Sequence, residues 1–304
     1  MTIVTTSTVT KEPQKTRIRV QWREVFLFSL LAYGFTWAWQ GIKVFPHLGE
    51  LLTATKTPTD STLIFGNVLY PIVGMFGPML AAIFMRLVVS REGLRGSLGF
   101  RQPLRYYLRS VFIPILFLIV ISLVLVLIGQ ARFALPVEKI PLFVLPVWVL
   151  LLIPECIVAF GEEYGWRGYL QPRLMPLGEI RGSLIIGVIW SLWHLPVLLA
   201  GLLYGGNTPW LVLLIFVFTV TMSTFAYTWL AKASHYSTIL ASIFHGSSNW
   251  FANRLTTFLV SGNLLSLGLA MGVGWLLIVF VVYGVFKRSP YVDMEIPQLA
   301  IEKV

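Results

Sequence analysis

Charge is what this chain has least of. Asp, Glu, Lys and Arg make up 12% of its 304 residues, about half the roughly 25% that a soluble domain carries. Hydrophobic residues make up 57% and the mean hydropathy is +0.79. A water-facing surface cannot be built from so few charges, so a soluble globular domain is excluded and lipid is the main solvent. The single cysteine, Cys156, excludes an intramolecular disulfide framework and any cysteine-rich metal cluster. Also missing are His-Glu-x-x-His, a phosphate-binding glycine loop and Gly-x-Ser-x-Gly, the usual signatures of soluble hydrolases and nucleotide enzymes. No apolar core with a small-residue cleavage site follows Met1, so the polar start reads as a retained tail. The formal charge of +10 does not point to nucleic acid, because the basic residues are scattered between apolar blocks. That scatter is a topology signal.

Eight apolar blocks are present, each near the 18–26 residues that cross about 30 Å of hydrocarbon. They run over Val25–Phe45, Phe65–Val88, Ser110–Gly129, Phe143–Tyr169, Ser183–Leu203, Trp210–Leu230, Ser237–Ala252 and Leu264–Phe286. Backbone polar groups in lipid must be satisfied internally, and no strand-like alternation appears, so the blocks predict helices. The expected fold is an all-α polytopic bundle of about eight transmembrane helices. One membrane domain (residues 25–288) is flanked by polar tails (residues 1–24 and 289–304). With both termini on the cytoplasmic side, only Lys43, Lys56, Arg132, Lys139 and Arg254, of the 23 Lys and Arg, fall on the outer side. That asymmetry is what the positive-inside rule demands, and it supports the seventh block, which is short and interrupted by His245 and Asn249. Between the second and third blocks, residues 91–109 mix five arginines with Leu94, Leu98, Phe100, Leu104, Tyr106 and Tyr107. Such a segment suits an anionic leaflet. Its first reading is a topology anchor, and its second a surface that gathers substrate.

Ionisable groups at bilayer depth cost roughly 2.5–3.5 kcal/mol each even on lenient scales, so they need a function. Glu162, Glu163 and Arg167 lie on the fourth span, His194 on the fifth, His245 and Asn249 on the seventh. At about 1.5 Å per residue, Glu162, His194 and His245 all sit roughly 14–18 Å from the inner ends of their helices. Three helices presenting polar groups at one level predict one site. Glu163 and Arg167 are spaced i, i+4 with the acid first, the favourable order for an ion pair. Glu162 is rotated about 100° from Glu163 and is read as the carboxylate facing the cavity. Trp190 and His194 share a face, as do His245 and Asn249. Gly161 and Gly165 give the fourth helix a small-residue face for close approach. Such a set can hydrolyse: Glu162 as general base, His194 orienting the water, His245 and Asn249 donating to an oxyanion. The same side chains are also ordinary ligands for a divalent ion such as Zn²⁺, and both readings stand at this point. A proton- or ion-coupled transporter with a Glu/His relay is a further reading, although the two related halves typical of transporters are not visible. His47 and His235 fall in loops, and Glu155 has no spaced partner.

Glu162-Glu163-x-x-x-Arg167, Trp190-x-x-x-His194 and His245-x-x-x-Asn249, in that order, resemble the CAAX protease and bacteriocin-processing family of intramembrane proteases. This family includes the type II CAAX prenyl endopeptidases and lysostaphin-resistance-like proteins. The aromatic of the second motif is commonly Phe there and is Trp190 here. The resemblance implies peptide-bond hydrolysis within the membrane, in a multi-pass protein of a prokaryotic plasma membrane. Its partners would be lipid and a peptide or protein substrate, lipidated in the prenyl branch, with no nucleic acid. It implies that Glu162 is the activating carboxylate beside Glu163 and Arg167, His194 the water-activating histidine, and His245 with Asn249 the oxyanion side. The family has been described both as metalloprotease and as glutamate protease, which leaves the metal open. It also includes immunity and scaffold functions, so a non-catalytic protein of the same fold is a third alternative.

Overall fold

In the computed structural model of the chain, residues 19–133, 144–254 and 260–285 are described. Most of both tails, and Lys139, Lys287, Arg288 and Lys303, lie outside them. Eight principal helices occupy the eight apolar blocks: α1 (Trp22–Val44), α2 (Leu69–Val89), α3 (Leu104–Leu127), α4 (Leu152–Gly165), α5 (Glu179–Trp193), α6 (Pro209–Ala233), α7 (Thr238–Arg254) and α8 (Leu264–Gly284). Among the described residues, five are long and apolar enough to cross a membrane: α1 extended to Thr53, α2, α3, α6 and α8. The other three, α4, α5 and α7, are the ones that carry the candidate site. Glu162, Glu163, His194 and His245 are turned into the bundle, where a helix has no need to be apolar all round. The chain is an integral membrane helix bundle. Among the described residues the strands are confined to a three-residue antiparallel pairing of Ala131–Phe133 with Val260–Gly262.

The lipid-facing surface is visible as large side chains that a soluble protein would bury: Leu127 is 84% exposed and Leu104 70%. Local chemistry starts and stops the helices in ordinary ways. Pro209 opens α6, where its missing N–H costs nothing. Asn263 caps α8 by accepting from the Leu265 amide at 2.8 Å.

Helix α7 packs against α4 and α3, α5 against α6, and α2 against both α1 and α4. The small-residue face expected on α4 is used: a Cβ on Gly161 would lie 3.1 Å from the Met75 carbonyl, and one on Gly165 2.6 Å from that of Pro78. On the other side of α4, Gly246 of α7 lies hard against Cys156, where a Cβ would meet the Cys156 backbone nitrogen and Cα at 2.7 Å. Backbone cannot move aside as a flexible side chain does. Gly246→Ala is therefore expected to wedge α4 from α7, cost about 1–3 kcal/mol and lower the melting temperature in detergent. An unchanged melt would show that the two helices are not in close contact there.

Candidate functional site

Helix α4 does not end at Gly165. It continues as a π-helical turn, Trp166–Leu170, and a further turn, Gln171–Leu174. The sequence supplies the reason. Pro172 has no N–H to offer the Gly168 carbonyl four residues earlier, and its ring crowds that carbonyl. The widened turn absorbs the misfit, and the Arg86 Nη2 of α2 donates to Gly168 O at 2.6 Å in place of the missing amide. Arg86 also pairs with Glu92 at 2.6 Å. Arg173 pairs with Glu24 at 2.5 Å and Glu92 at 3.1 Å, and the Tyr169 hydroxyl donates to Glu24 at 2.9 Å. This buried cluster ties the end of the α4 run to α1 and to the turn after α2. Counted by sequence, Arg86 and Arg173 were simply inner-side charges.

Above that anchor, the side chains singled out by spacing gather from three helices. Glu162, Glu163, Arg167, His194 and His245 are all buried, Glu163 and Arg167 completely. Glu163 Oε1 accepts from Arg167 Nη1 at 3.1 Å, the expected i, i+4 pair. The same oxygen lies 2.9 Å from His245 Nδ1 on α7. A carboxylate oxygen accepts, so His245 donates through Nδ1 and its Nε2 is the nitrogen left for other chemistry. His194 Nδ1 lies 2.9 Å from the Trp190 carbonyl. A carbonyl can only accept, so this ring also carries its proton on Nδ1, and its bare Nε2 stands 3.9 Å from Glu162 Oε2. Both atoms are within hydrogen-bond reach of one shared water.

Trp190 is the hub. Its indole N–H donates to Glu162 Oε2 at 2.7 Å. Its ring faces the Arg167 guanidinium at 4.1 Å and meets the His245 ring edge-on at 5.4 Å. Tyr227 of α6 covers the other side of Arg167 at 4.0 Å. Two aromatic faces and one carboxylate thus hold a guanidinium that is shut off from bulk solvent. Among the described residues, Glu163 Oε2 and the Nε and Nη2 of Arg167 meet no protein partner. These are polar atoms at which water can join the site.

Sequence spacing did not find Tyr227, although polar residues interrupting α6 (Thr219, Thr221, Thr224, Tyr227 and Thr228) are a signal that this helix faces something other than lipid. Nor did it foresee the donor role of Trp190, which a Phe at that position cannot fill. Trp190→Phe keeps a ring beside Arg167 but removes the N–H aimed at Glu162 together with the fused five-membered ring, which leaves a small cavity. The chain is expected to melt somewhat lower and, on the hydrolase reading below, to turn over about tenfold more slowly, since a carboxylate free to swing loses its alignment. Equal turnover would show that Glu162 is held by other contacts.

Asn249 stands apart. It is exposed, and no hydrogen bond joins it to the other groups. Helix α7 runs antiparallel to α4, so one turn beyond His245 leads away from Glu163 towards Glu155. Glu155, which had no spaced partner in the sequence, finds one across the helices: its Oε1 accepts from Asn253 at 3.2 Å and Arg254 at 3.5 Å.

The donor set does not fit a metal centre. Among the described residues no three His, Cys, Asp or Glu side chains gather so that one ion could bind them all. Glu163 and His245 are bonded to each other, and the Arg167 guanidinium occupies the place where a cation would need negative charge.

Fold and site together define a polytopic membrane protein with a buried carboxylate–imidazole centre sealed by aromatic rings. Residues 143–251 match the family model described as type II CAAX prenyl endopeptidase Rce1-like. A curated relative named CAAX prenyl protease 2, from Methanococcus maripaludis, is 34% identical over 105 residues, 33% of this chain and 37% of that protein. The chain thus matches little more than a third of that relative's length. The resemblance drawn from the three motifs is borne out, and Glu162, Glu163, Arg167, His194, His245 and Asn249 all lie inside the matched segment.

Proposed function

We propose that the protein is an intramembrane endopeptidase that hydrolyses a peptide bond of a membrane-associated substrate. The observation that carries this reading is the pair of basic atoms, Glu162 Oε2 and His194 Nε2, facing one another at 3.9 Å in a buried centre. Glu162, held by the Trp190 N–H, takes a proton from water as that water attacks the substrate carbonyl. His194, its tautomer set by the Trp190 backbone, presents Nε2 to the same water and fixes its direction. Glu163 and Arg167 do not touch the reacting atoms. They orient His245, whose free Nε2 takes the proton that Glu162 removed from the water and delivers it to the leaving amine. Asn249 would donate to the oxyanion after a change of position on substrate binding. The substrate class is a peptide presented by the membrane, CAAX-type as the name of the relative suggests or bacteriocin-like as the motif resemblance implies, and the setting is a prokaryotic plasma membrane with both termini inside.

The test is a comparison of peptide termini in membranes from cells carrying the parent chain or Glu162→Ala. New termini that depend on Glu162 support hydrolysis. Identical termini, with both chains expressed and inserted, would favour a scaffold or transporter function instead.

A further inference from the structure

The segment between α2 and α3 carries a second site. Arg91, Arg95, Arg101, Arg105 and Arg109 are all exposed. The one acid within residues 91–109, Glu92, is consumed by Arg86 and Arg173. Among the described residues none of the five arginines makes an ion pair, and the guanidiniums of Arg105 and Arg109 both lie over Tyr106, at 5.3 and 5.7 Å. This is a concentrated positive surface without a counter-charge among the described residues.

Its apolar neighbours say what it faces. Leu94 and Phe100 are exposed beside the arginines, and the exposed row Leu104, Leu108, Phe112 and Leu116 continues at intervals of four residues along α3. That row is the lipid-facing stripe of a spanning helix. Arg105 and Arg109 stand directly beside its first two members, at the level where hydrocarbon gives way to headgroups. An acidic protein partner would match the charge but would leave Phe100 and Leu104 in water or require its own apolar groove. A membrane surface matches both.

The segment is also stitched to the site helices. Left-handed backbone at Arg91, Gly93, Gly96 and Gly99 folds it back on the bundle. Thr238, at the start of α7, donates to the carbonyls of Ser97 and Leu98 at 3.1 Å, and the Ile239 amide donates to Leu98 O at 3.3 Å. Ser237 Oγ donates to Gly99 O at 2.8 Å, and Gln102 Nε2 to Ser234 O at 3.0 Å. On the other side, Ser97 Oγ and the Tyr164 hydroxyl are 2.9 Å apart, and Tyr164 directly follows Glu163. Gly99, with φ +67°, has no room for a side chain, because a Cβ there would lie 2.8 Å from the Ser237 Cα.

We propose that residues 91–109 bind the headgroups of anionic phospholipids, and that lipid held there steadies the start of α7 and the Glu162–Tyr164 turn of α4. Headgroup binding stands on the surface alone. Its consequence for turnover rests on the hydrolase reading above.

The experiment uses the full chain in bilayer nanodiscs of phosphatidylglycerol or phosphatidylcholine. Native mass spectrometry reads which lipid is retained, and hydrogen exchange reads the start of α7. The parent should retain phosphatidylglycerol at least tenfold over phosphatidylcholine, since each basic residue at an anionic surface multiplies affinity about fivefold. Arg101→Gln/Arg105→Gln/Arg109→Gln should cut the preference at least tenfold, with Arg91 and Arg95 keeping the remainder, and the same three positions changed to Lys should keep most of it. Amides of residues 238–245 should exchange several-fold more slowly in phosphatidylglycerol, for the parent and not for the Gln variant. Equal retention of the two lipids by the parent, or an undiminished preference in the Gln variant, would overturn the site. Exchange that ignores lipid would overturn the coupling. A Gln variant that loses capture of an acidic peptide while keeping its lipid preference would assign the surface to a protein partner and overturn the proposal. None of these readings needs peptide turnover, so the lipid site and the hydrolase reading stand or fall separately.

Discussion

Glu162→Gln is expected to insert, fold and melt like the parent chain while losing about 100- to 10,000-fold in peptide turnover, the range for removal of a general base. The amide has the shape of the carboxylate, and its oxygen can still accept the Trp190 N–H at 2.7 Å. What it cannot do is take a proton from a water shared with His194 Nε2. The measurement is peptide turnover beside thermal stability in detergent. Undiminished turnover of a genuine substrate would remove Glu162 as the base and bring the transporter and scaffold readings forward.

Glu163→Gln should behave differently, although the two glutamates are adjacent. One oxygen of Glu163 holds both the Arg167 guanidinium at 3.1 Å and His245 Nδ1 at 2.9 Å. Removing its charge leaves Arg167, completely buried, with a neutral amide oxygen and the faces of Trp190 and Tyr227 but no counter-charge. Breaking a buried ion pair in this way costs about 3–5 kcal/mol, so the variant should melt well below the parent. It should also lose activity, because His245 is no longer held in one orientation. Adding Arg167→Met should recover much of the stability and none of the activity, since it removes the stranded charge without restoring the hold on His245. If Glu163→Gln instead proves stable and inactive while Glu162→Gln unfolds, the roles of the two carboxylates are reversed.

The helices were legible because lipid imposes a simple rule. An apolar run long enough to cross must be helical, and α1, α2, α3, α6 and α8 obey it without help from their neighbours. Helix α7, the weakest by hydropathy, was recovered through the distribution of arginine and lysine. The candidate site was legible to the level of which helices and which depth, since periodicity places a residue on a face and rise per residue places it along the axis. The partner of Glu163 was legible only within α4. Arg167 was read from i, i+4 spacing, whereas the bond to His245 spans 82 residues of chain. For the same reason spacing did not show that Asn249 is exposed one turn beyond His245, or that Glu155 meets Asn253 and Arg254. Which residue meets which across an interface depends on where two helices touch and how they cross.

By composition and spacing, the sequence alone determined a membrane helix bundle with carboxylates and imidazoles buried at one depth, because the cost of charge in lipid leaves few other arrangements. Tertiary structure decided which nitrogen of each imidazole carries the proton, that the Trp190 indole holds Glu162, and that Tyr227 shields Arg167. It also decided that Arg86 completes a backbone bond which Pro172 removes from α4. Apart from the His194–Trp190 bond, which is local to the end of α5, these outcomes turn on contacts of 2.6–4.1 Å between distant segments. Such contacts exist only where glycines such as Gly161, Gly165 and Gly246 let helices approach closely, and one-dimensional spacing carries no information about that approach.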